Sequence, residues 1–147
     1  MAEDATGFRL TGGCQCGAVR YALTARPTRP SVCHCRMCQR AGGAPFMAFG
    51  GVSLAEIEWT GSPKIFASST IAERGFCGEC GTPLTWRSHG RDRISVTLGS
   101  LDDPEAVPPT EQDGIESRLC WTAGIGDLPG ERTRDQGDAF ANHQNQG

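Results

Sequence analysis

The distribution of eight cysteines constrains this 147-residue chain more than any other feature of its sequence. Three clusters and one isolated position hold them: Cys14 and Cys16; Cys33, Cys35 and Cys38; Cys77 and Cys80; and Cys120. Such clusters are typical of a disulfide framework in a secreted protein, or of metal ligands in a reducing compartment. Residues 1–9 contain two acidic residues and no apolar segment, unlike a secretory signal peptide. We therefore expect a cytoplasmic protein whose cysteines bind metal rather than form disulfides.

The remaining composition excludes several classes of partner. The formal net charge is −3 at pH 7, so we expect neither nucleic acid nor an anionic membrane surface as a partner. No apolar run approaches the roughly 20 residues that a membrane span requires. Twenty glycines and nine prolines are spread along the chain. They predict many tight turns and argue against a helical bundle.

The two outer cysteine pairs predict one closed metal site. Cys14 and Cys16 together with Cys77 and Cys80 supply four thiolates, the complete tetrahedral set of a structural zinc site. Because the pairs are far apart in the sequence, the site would connect early strands with late ones. Binding of a structural metal contributes directly to folding free energy, so we expect this cluster to stabilise the fold and to carry no chemistry.

The middle cluster predicts a different kind of site. Cys33, Cys35 and Cys38 supply three thiolates, which leaves one position on a tetrahedral zinc for water or a substrate. His34 lies within the cluster, but adjacent side chains diverge in a regular backbone, which favours a histidine that faces away from the metal. A closed site with a fourth protein ligand remains the alternative. Besides His34, the candidates for that ligand are Cys120 and His89.

Apolar alternation and turn signals predict a mainly β domain. Val19, Tyr21 and Leu23 share one face of a strand predicted over 18–23. Further strands are predicted at 46–49, 54–59, 64–67, 94–98 and 115–121, with a loop at 26–30 and one or two helical turns at 35–41. We expect one small, zinc-stapled antiparallel β domain over 10–129, between a flexible leader (1–9) and a disordered tail (130–147).

The order of these motifs resembles the glutathione-dependent formaldehyde-activating enzyme (GFA) family, also called the centromere-protein-V domain family. The matching segments are GGCQCG at 12–17, CHCRMC at 33–38, RGFCGECGTPL at 74–84, LGSLDD at 98–103 and ESRLCW at 116–121. The resemblance covers about residues 9–129 and implies a zinc-containing fold of the β-tent type. It also implies two zinc ions per chain, the second of them catalytic and more labile. Cys120 departs from the family pattern, in which a small residue such as proline is expected before Trp121.

The resemblance implies an activity that joins glutathione and formaldehyde into S-hydroxymethylglutathione, classed as a carbon–sulfur lyase. Zinc lowers the pKa of a bound thiol, so the open site would hold the substrate as its thiolate. Glutathione carries carboxylates, so nearby cationic or polar side chains would favour its binding. The candidates are Arg74, Gln39 and Arg36. In a helix over 35–41, Gln39 would lie nearer the cysteine face than Arg36.

Two functions therefore stay open at the level of sequence. The first is an enzyme that acts on a glutathione adduct of formaldehyde or of a related small electrophile. The alternative is a zinc-stabilised binding protein without catalysis, although the chain has no basic extension of the kind a chromosome-associated protein would use. A sulfoxide reductase, suggested by fold analogy alone, would need an exposed redox cysteine, for which only Cys120 is unassigned.

Overall fold

Ten short strands and one α-helix make up the described part of the chain, residues 7–133 of a computed structural model. The strands are β1 (Leu10–Gly13), β2 (Arg20–Leu23), β3 (Thr28–Cys33), β4 (Met47–Ser53), β5 (Ile57–Thr60), β6 (Lys64–Ala67), β7 (Ala72–Phe76), β8 (Pro83–Ser88), β9 (Arg93–Thr97) and β10 (Glu111–Asp113). The helix is α1 (Arg36–Gly42). Short 3₁₀ helices occupy Leu54–Glu56, Leu98–Ser100, Ile115–Ser117 and Cys120–Asp127.

The strands form two sheets. One has three strands in the order β1-β2-β5, and the other has seven in the order β10-β3-β4-β9-β8-β7-β6. Every pair is antiparallel except β10 with β3, which is parallel. The predicted small, mainly β domain with antiparallel strands is confirmed.

The larger of two apolar clusters lies between the two sheets. Tyr21 and Leu23 of the small sheet pack with Val52, Leu84 and Val96 of the large sheet, and all five side chains are buried. A second, smaller cluster joins Cys38 of α1 to Met47 and Phe49 of β4. Burial of this apolar area supplies the main driving force for packing the sheets together, and it fixes α1 against one end of the large sheet.

Helix α1 begins and ends where its sequence supplies caps. Cys35 has an extended backbone, and its Sγ accepts a hydrogen bond from the amide of Cys38 at 3.3 Å, so a cysteine takes the N-cap role usually held by serine or aspartate. Gly43 ends the helix in the left-handed region with φ of 59°, a conformation that glycine adopts without steric cost. The helical turns predicted at 35–41 are confirmed.

Several local predictions are corrected by the structure. The strand predicted at 115–121 is wrong, because the chain turns at Gly114 (φ 64°) and continues as 3₁₀ helices. The loop predicted at 26–30 contains the start of β3, where an irregular register between Thr28 and Ser31 accommodates Pro30. Four strands, β1, β7, β8 and β10, were not expected. β10 pairs with β3, which lies far away in the sequence, whereas β7 and β8 pair with each other and with the adjacent strands β6 and β9.

Residues 1–6 and 134–147 lie outside the described residues, so the predicted leader and most of the predicted tail are not tested and the domain bounds stay predictions. Between residues 7 and 133, no helix combines the length and the apolar sequence that a bilayer crossing would need.

Candidate functional site

The outer cysteine pairs meet at the boundary between the two sheets. Cys14 and Cys16 lie just after β1, and Cys77 and Cys80 lie in the loop between β7 and β8. Their four Sγ atoms all lie within 4.8 Å of one another. The Cys14–Cys16 and Cys16–Cys77 sulfur separations are 3.5 and 3.8 Å. These lengths exclude disulfide bonds and match the spacing of about 3.8 Å that follows from Zn–S bonds in a tetrahedron. The donor set therefore fits a structural zinc ion.

Polar groups around this first cluster favour thiolate sulfurs. The amides of Val19 and Glu79 donate to Cys14 and Cys77 at 3.2 and 3.4 Å. The Thr82 hydroxyl, 3.2 Å from Cys80, lowers the pKa of that thiol to about 6. Such donors stabilise the charged form of a thiol, which is the form that binds metal.

The second cluster is built from consecutive local elements. Cys33 is the last residue of β3, Cys35 is the N-cap of α1, and Cys38 lies in the first turn of α1. Their Sγ atoms also lie within 4.8 Å of one another. Burial raises the pKa of the Cys33 thiol to about 12. Burial opposes the ionisation of Cys35 as well, but the Cys38 amide and the neighbouring thiols lower its pKa. Three thiols whose sulfur atoms lie this close together form a donor set that fits zinc, and a bound cation would favour their ionised forms.

A neighbouring loop supports this cluster from outside. The Asp113 carbonyl accepts a hydrogen bond from the His34 amide at 2.9 Å. Gly114, which follows, passes so close that a Cβ there would lie 2.7 Å from the Cys35 nitrogen, so only glycine fits. The parallel pairing of β10 with β3 therefore brings the 113–114 turn directly onto the cysteine segment.

No fourth ligand closes the second cluster within residues 7–133, where no other histidine, cysteine or carboxylate joins its three thiols. His34 is only 3% exposed and faces away, with Nε2 2.8 Å from the Gln112 side-chain oxygen and its ring stacked edge-on against Phe46. His89 lies 3.8 Å from Glu73, and Cys120 is exposed on a 3₁₀ helix. None of the three candidates for a fourth ligand belongs to the cluster.

The second cluster opens into a cleft of about 560 Å³ along one face of the large sheet. Apolar walls come from Met37, Phe49 and Trp86. The remaining lining is polar or charged and includes four arginines: Arg29, Arg74, Arg91 and Arg93. One carboxylate, that of Asp113, also lines the cleft. The cleft is thus locally cationic in a chain of net charge −3.

Three of these arginines were not predicted as site residues. Arg29 donates to Glu111 at 2.8 Å, and Arg93 donates to the Thr28 hydroxyl. Arg91 makes no ion pair with any described carboxylate. For Arg93 the sequence does contain an indication. Arg93 alternates along β9 with the half-buried Ile94 and the buried Val96, so its side chain lies on the opposite face of the strand from theirs. For Arg29 and Arg91 we find no sequence pattern that would have predicted their place in the cleft.

Comparison with known proteins assigns the chain to a family. Residues 9–117 match the sequence profile of the glutathione-dependent formaldehyde-activating enzyme family. The match spans well over half of the chain and includes both cysteine clusters. The chain belongs to the GFA family. The family resemblance seen in the sequence is thereby confirmed.

One curated protein and one solved structure are similar to this GFA member. A Schizosaccharomyces pombe protein described as an uncharacterized lyase is 36% identical over 73 residues, which is 50% of this chain and 53% of the relative. The chain thus spans about half the length of that curated relative. A crystal structure of a Rhodobacter sphaeroides protein has a TM-score of 0.53 at 20% identity and covers 69% of this chain and 98% of its own. That likeness supports the mostly β, antiparallel fold alone.

The predicted substrate contacts of this GFA member lie in different surroundings. Arg74 lines the cleft and donates to Cys38 Sγ at 3.3 Å. Gln39 is buried and donates to the carbonyls of His34 and Ser117 at 2.7 and 3.0 Å. Arg36 is exposed and donates to the Gln39 side-chain oxygen. Gln39 and Arg36 are not among the residues that line the cleft. Their assignment as substrate contacts stays a prediction.

Proposed function

We propose that this GFA member is a zinc-dependent, carbon–sulfur lyase-like enzyme that acts on the adduct of glutathione with formaldehyde or a related small electrophile. The observation that carries the proposal is the second cluster. Three unpaired thiols meet at the head of an open cleft, and the described residues provide no fourth ligand. A site built only for stability would be closed, as the first cluster is.

The first cluster, Cys14, Cys16, Cys77 and Cys80, would hold the structural zinc. A second zinc held by Cys33, Cys35 and Cys38 would supply one open position that binds a substrate thiol as its thiolate. The amide of Cys38, which donates to Cys35, fixes the cysteine loop in place before any substrate arrives. The walls formed by Met37, Phe49 and Trp86 limit water around the reacting sulfur.

In the proposed reaction, the thiolate sulfur of glutathione attacks the carbonyl carbon of formaldehyde. A carbon–sulfur bond forms, and the carbonyl π electrons move to oxygen, which takes up a proton from water. The cleft is lined by one carboxylate, that of Asp113, and by no histidine, so the role we assign to it is orientation of the reactants, and we name no general acid or base.

The far end of the cleft suits the carboxylates of glutathione. Cys33 and Arg29 lie four residues apart on β3, a span of roughly 13 Å in an extended strand, reduced somewhat by the irregular register. Arg91, in the connection between β8 and β9, and Arg93, the first residue of β9, line the same cleft. Arginine pairs with carboxylates through a planar fork of donors. A peptide thiol held at Cys33 would therefore extend toward these cations.

Calorimetry with glutathione and 2-mercaptoethanol tests the binding half of the proposal. We expect both thiols to bind the two-zinc protein, with glutathione binding more tightly at low ionic strength because only it carries carboxylates. The preference should shrink as salt is added and in Arg91→Gln. Binding of neither thiol would remove the proposed substrate class.

Catalysis is tested by following formaldehyde and glutathione by NMR. We expect the wild-type protein to raise the exchange rate above the spontaneous reaction and Cys35→Ser to abolish that increase. Cys120→Ser is the matched control, since it removes a thiol outside both clusters. Glutathione binding without any rate increase would favour the alternative, a zinc-stabilised binding protein.

A further inference from the structure

One buried arginine in the cleft has an unusual set of partners. Arg74 of β7 is only 8% exposed. Its Nε donates to the Ser68 hydroxyl at 2.8 Å, its Nη1 to the Met47 sulfur at 3.7 Å, and its Nη2 to the Cys38 sulfur at 3.3 Å. All three nitrogens of the guanidinium are therefore engaged within the protein.

None of the carboxylates in residues 7–133 makes an ion pair with Arg74. A guanidinium stays charged in proteins, and a buried charge without a counter-charge is strongly unfavourable. The Ser68 hydroxyl and the Met47 thioether are neutral. Of these three partners only Cys38, as a metal-bound thiolate, could carry the compensating negative charge.

The charge of the second cluster matches this need. One Zn²⁺ and three thiolates sum to −1, and a fourth thiolate would make the sum −2. Adding Arg74 brings the resting site to zero and the thiolate-bound site to −1. Without Arg74, a second negative charge would have to enter a site that already repels it.

We infer that Arg74 is a positioning residue whose buried guanidinium, through its hydrogen bond to Cys38 Sγ, would offset the negative charge of the metal-loaded three-thiolate site, so that the site accepts an anionic thiolate as its fourth ligand. The inference rests on the proposed function in one respect, namely that the incoming ligand is a thiol. It also gives Arg74 a role other than contact with a substrate carboxylate.

The surroundings of Arg74 hold its guanidinium in a fixed orientation. Ser68 lies in the turn before β7, and Met47 is the first residue of β4. Hydrogen bonds to these two residues from different elements hold the guanidinium independently of its contact with Cys38. A lysine would keep the charge but lose the planar fork that joins these three partners. Donors that orient a metal ligand from outside tune both its affinity and its electronic properties.

The test uses the full chain with Co²⁺ in place of zinc, because cobalt–thiolate charge-transfer bands report on the sulfur ligands. The difference spectrum against Cys35→Ser isolates the second cluster. The variants are Arg74→Gln and Arg74→Lys. Arg40→Gln is the matched control, since Arg40 is an exposed residue of α1 that makes no hydrogen bond to a cysteine. The added ligands are 2-mercaptoethanol, which binds as an anion and has no carboxylate, and imidazole, which binds as a neutral molecule.

In Arg74→Gln we expect the charge-transfer band to move to lower energy, because Cys38 loses a charged donor. We also expect the ratio of 2-mercaptoethanol affinity to imidazole affinity to fall at least about tenfold. Arg40→Gln should change neither quantity. Arg74→Lys should restore the affinity ratio to within about threefold of wild type while leaving the band shifted. A merely structural role would not separate an anionic from a neutral ligand.

A folded, cobalt-loaded Arg74→Gln protein with an unchanged band and an unchanged ratio would overturn the inference, and so would an equal change in Arg40→Gln. If Arg74→Gln does not fold, Arg74→Lys decides: a shifted band with a retained ratio supports the inference, and an unshifted band overturns it. If wild type binds neither glutathione nor 2-mercaptoethanol, the proposed function fails, and the band shift alone decides whether Arg74 holds Cys38.

Discussion

The two cysteine clusters share one chemistry and differ in what they connect. Cys14 and Cys77 of the first cluster are 3% and 1% exposed, lie in the main core, and come from different sheets. Cys33, Cys35 and Cys38 of the second cluster come from one short segment and open into the cleft. A metal at the first cluster would close a long loop between sheets, whereas one at the second would only order a local turn. In this fold, placement, more than ligand type, therefore separates a structural site from a reactive one.

The clusters also differ in the charges that face them. Backbone amides and the Thr82 hydroxyl surround the first cluster. The second cluster has the Arg74 guanidinium in direct contact and further arginines along its cleft. A full cation beside a thiolate site favours additional anions there, which a closed structural site has no position to accept.

The largest expected effect is that of Cys77→Ser. Its sulfur is almost fully buried between the sheets, so its loss should release the first metal and leave buried polar groups without a partner. We expect the free energy of unfolding to fall by more than about 4 kcal/mol, measured by urea denaturation followed by circular dichroism. Cys120→Ser is the control. A Cys77→Ser protein that keeps both metals and wild-type stability would show that the first cluster is not structural.

The corresponding change in the second cluster, Cys35→Ser, should have a smaller effect on stability. We expect loss of one metal per chain and of thiol binding, with a decrease of less than about 2 kcal/mol in the free energy of unfolding, since the serine hydroxyl can still cap α1. Metal analysis and calorimetry on the same sample measure both. Equal destabilisation by Cys35→Ser and Cys77→Ser would mean that both sites are structural and would favour the binding-protein alternative.

Chelator kinetics should separate the two sites in the wild-type protein. An open coordination position gives a chelator direct access, so the second cluster should lose its metal at least about tenfold faster than the first. Zinc release followed with a colorimetric zinc-binding indicator should therefore show two kinetic phases of equal amplitude. The fast phase should be missing in Cys35→Ser. A single phase in wild type would contradict the distinction between open and closed sites.

The metal affinity of the second cluster should fall with pH. Burial raises the pKa of Cys33 to about 12 and that of Cys38 above its usual value, so in the metal-free protein both thiols are protonated at neutral pH. Metal binding must displace these protons, and affinity should therefore drop about tenfold per pH unit for each proton displaced. Competition with a chelator of known pH dependence measures this slope. An affinity independent of pH between about pH 6 and pH 8 would show that the thiols ionise before metal binds.

Much of the site was predictable because cysteine spacing is a local property of the chain. The spacing separated a four-thiol cluster from a three-thiol cluster, and the structure brings together the predicted residues of each. The helical turns at 35–41 were predicted from the sequence, and the direction of the buried His34 side chain away from the thiols followed from short-range geometry, in which adjacent side chains diverge. The strands at 46–49 and 64–67 were indicated by flanking turns and alternation.

Other features were decided only when distant segments came together. The sequence by itself determined which residues could bind metal, because that property depends on residue type and short spacing. Only the tertiary structure decided that β10 lies beside β3, that Arg29, Arg91 and Arg93 line one cleft, and that the Arg74 guanidinium meets Cys38. Arg74 and Cys38 lie on a strand and a helix far apart in the chain, and no periodicity relates them. Their contact follows from sheet order and core packing, which depend on the whole chain at once.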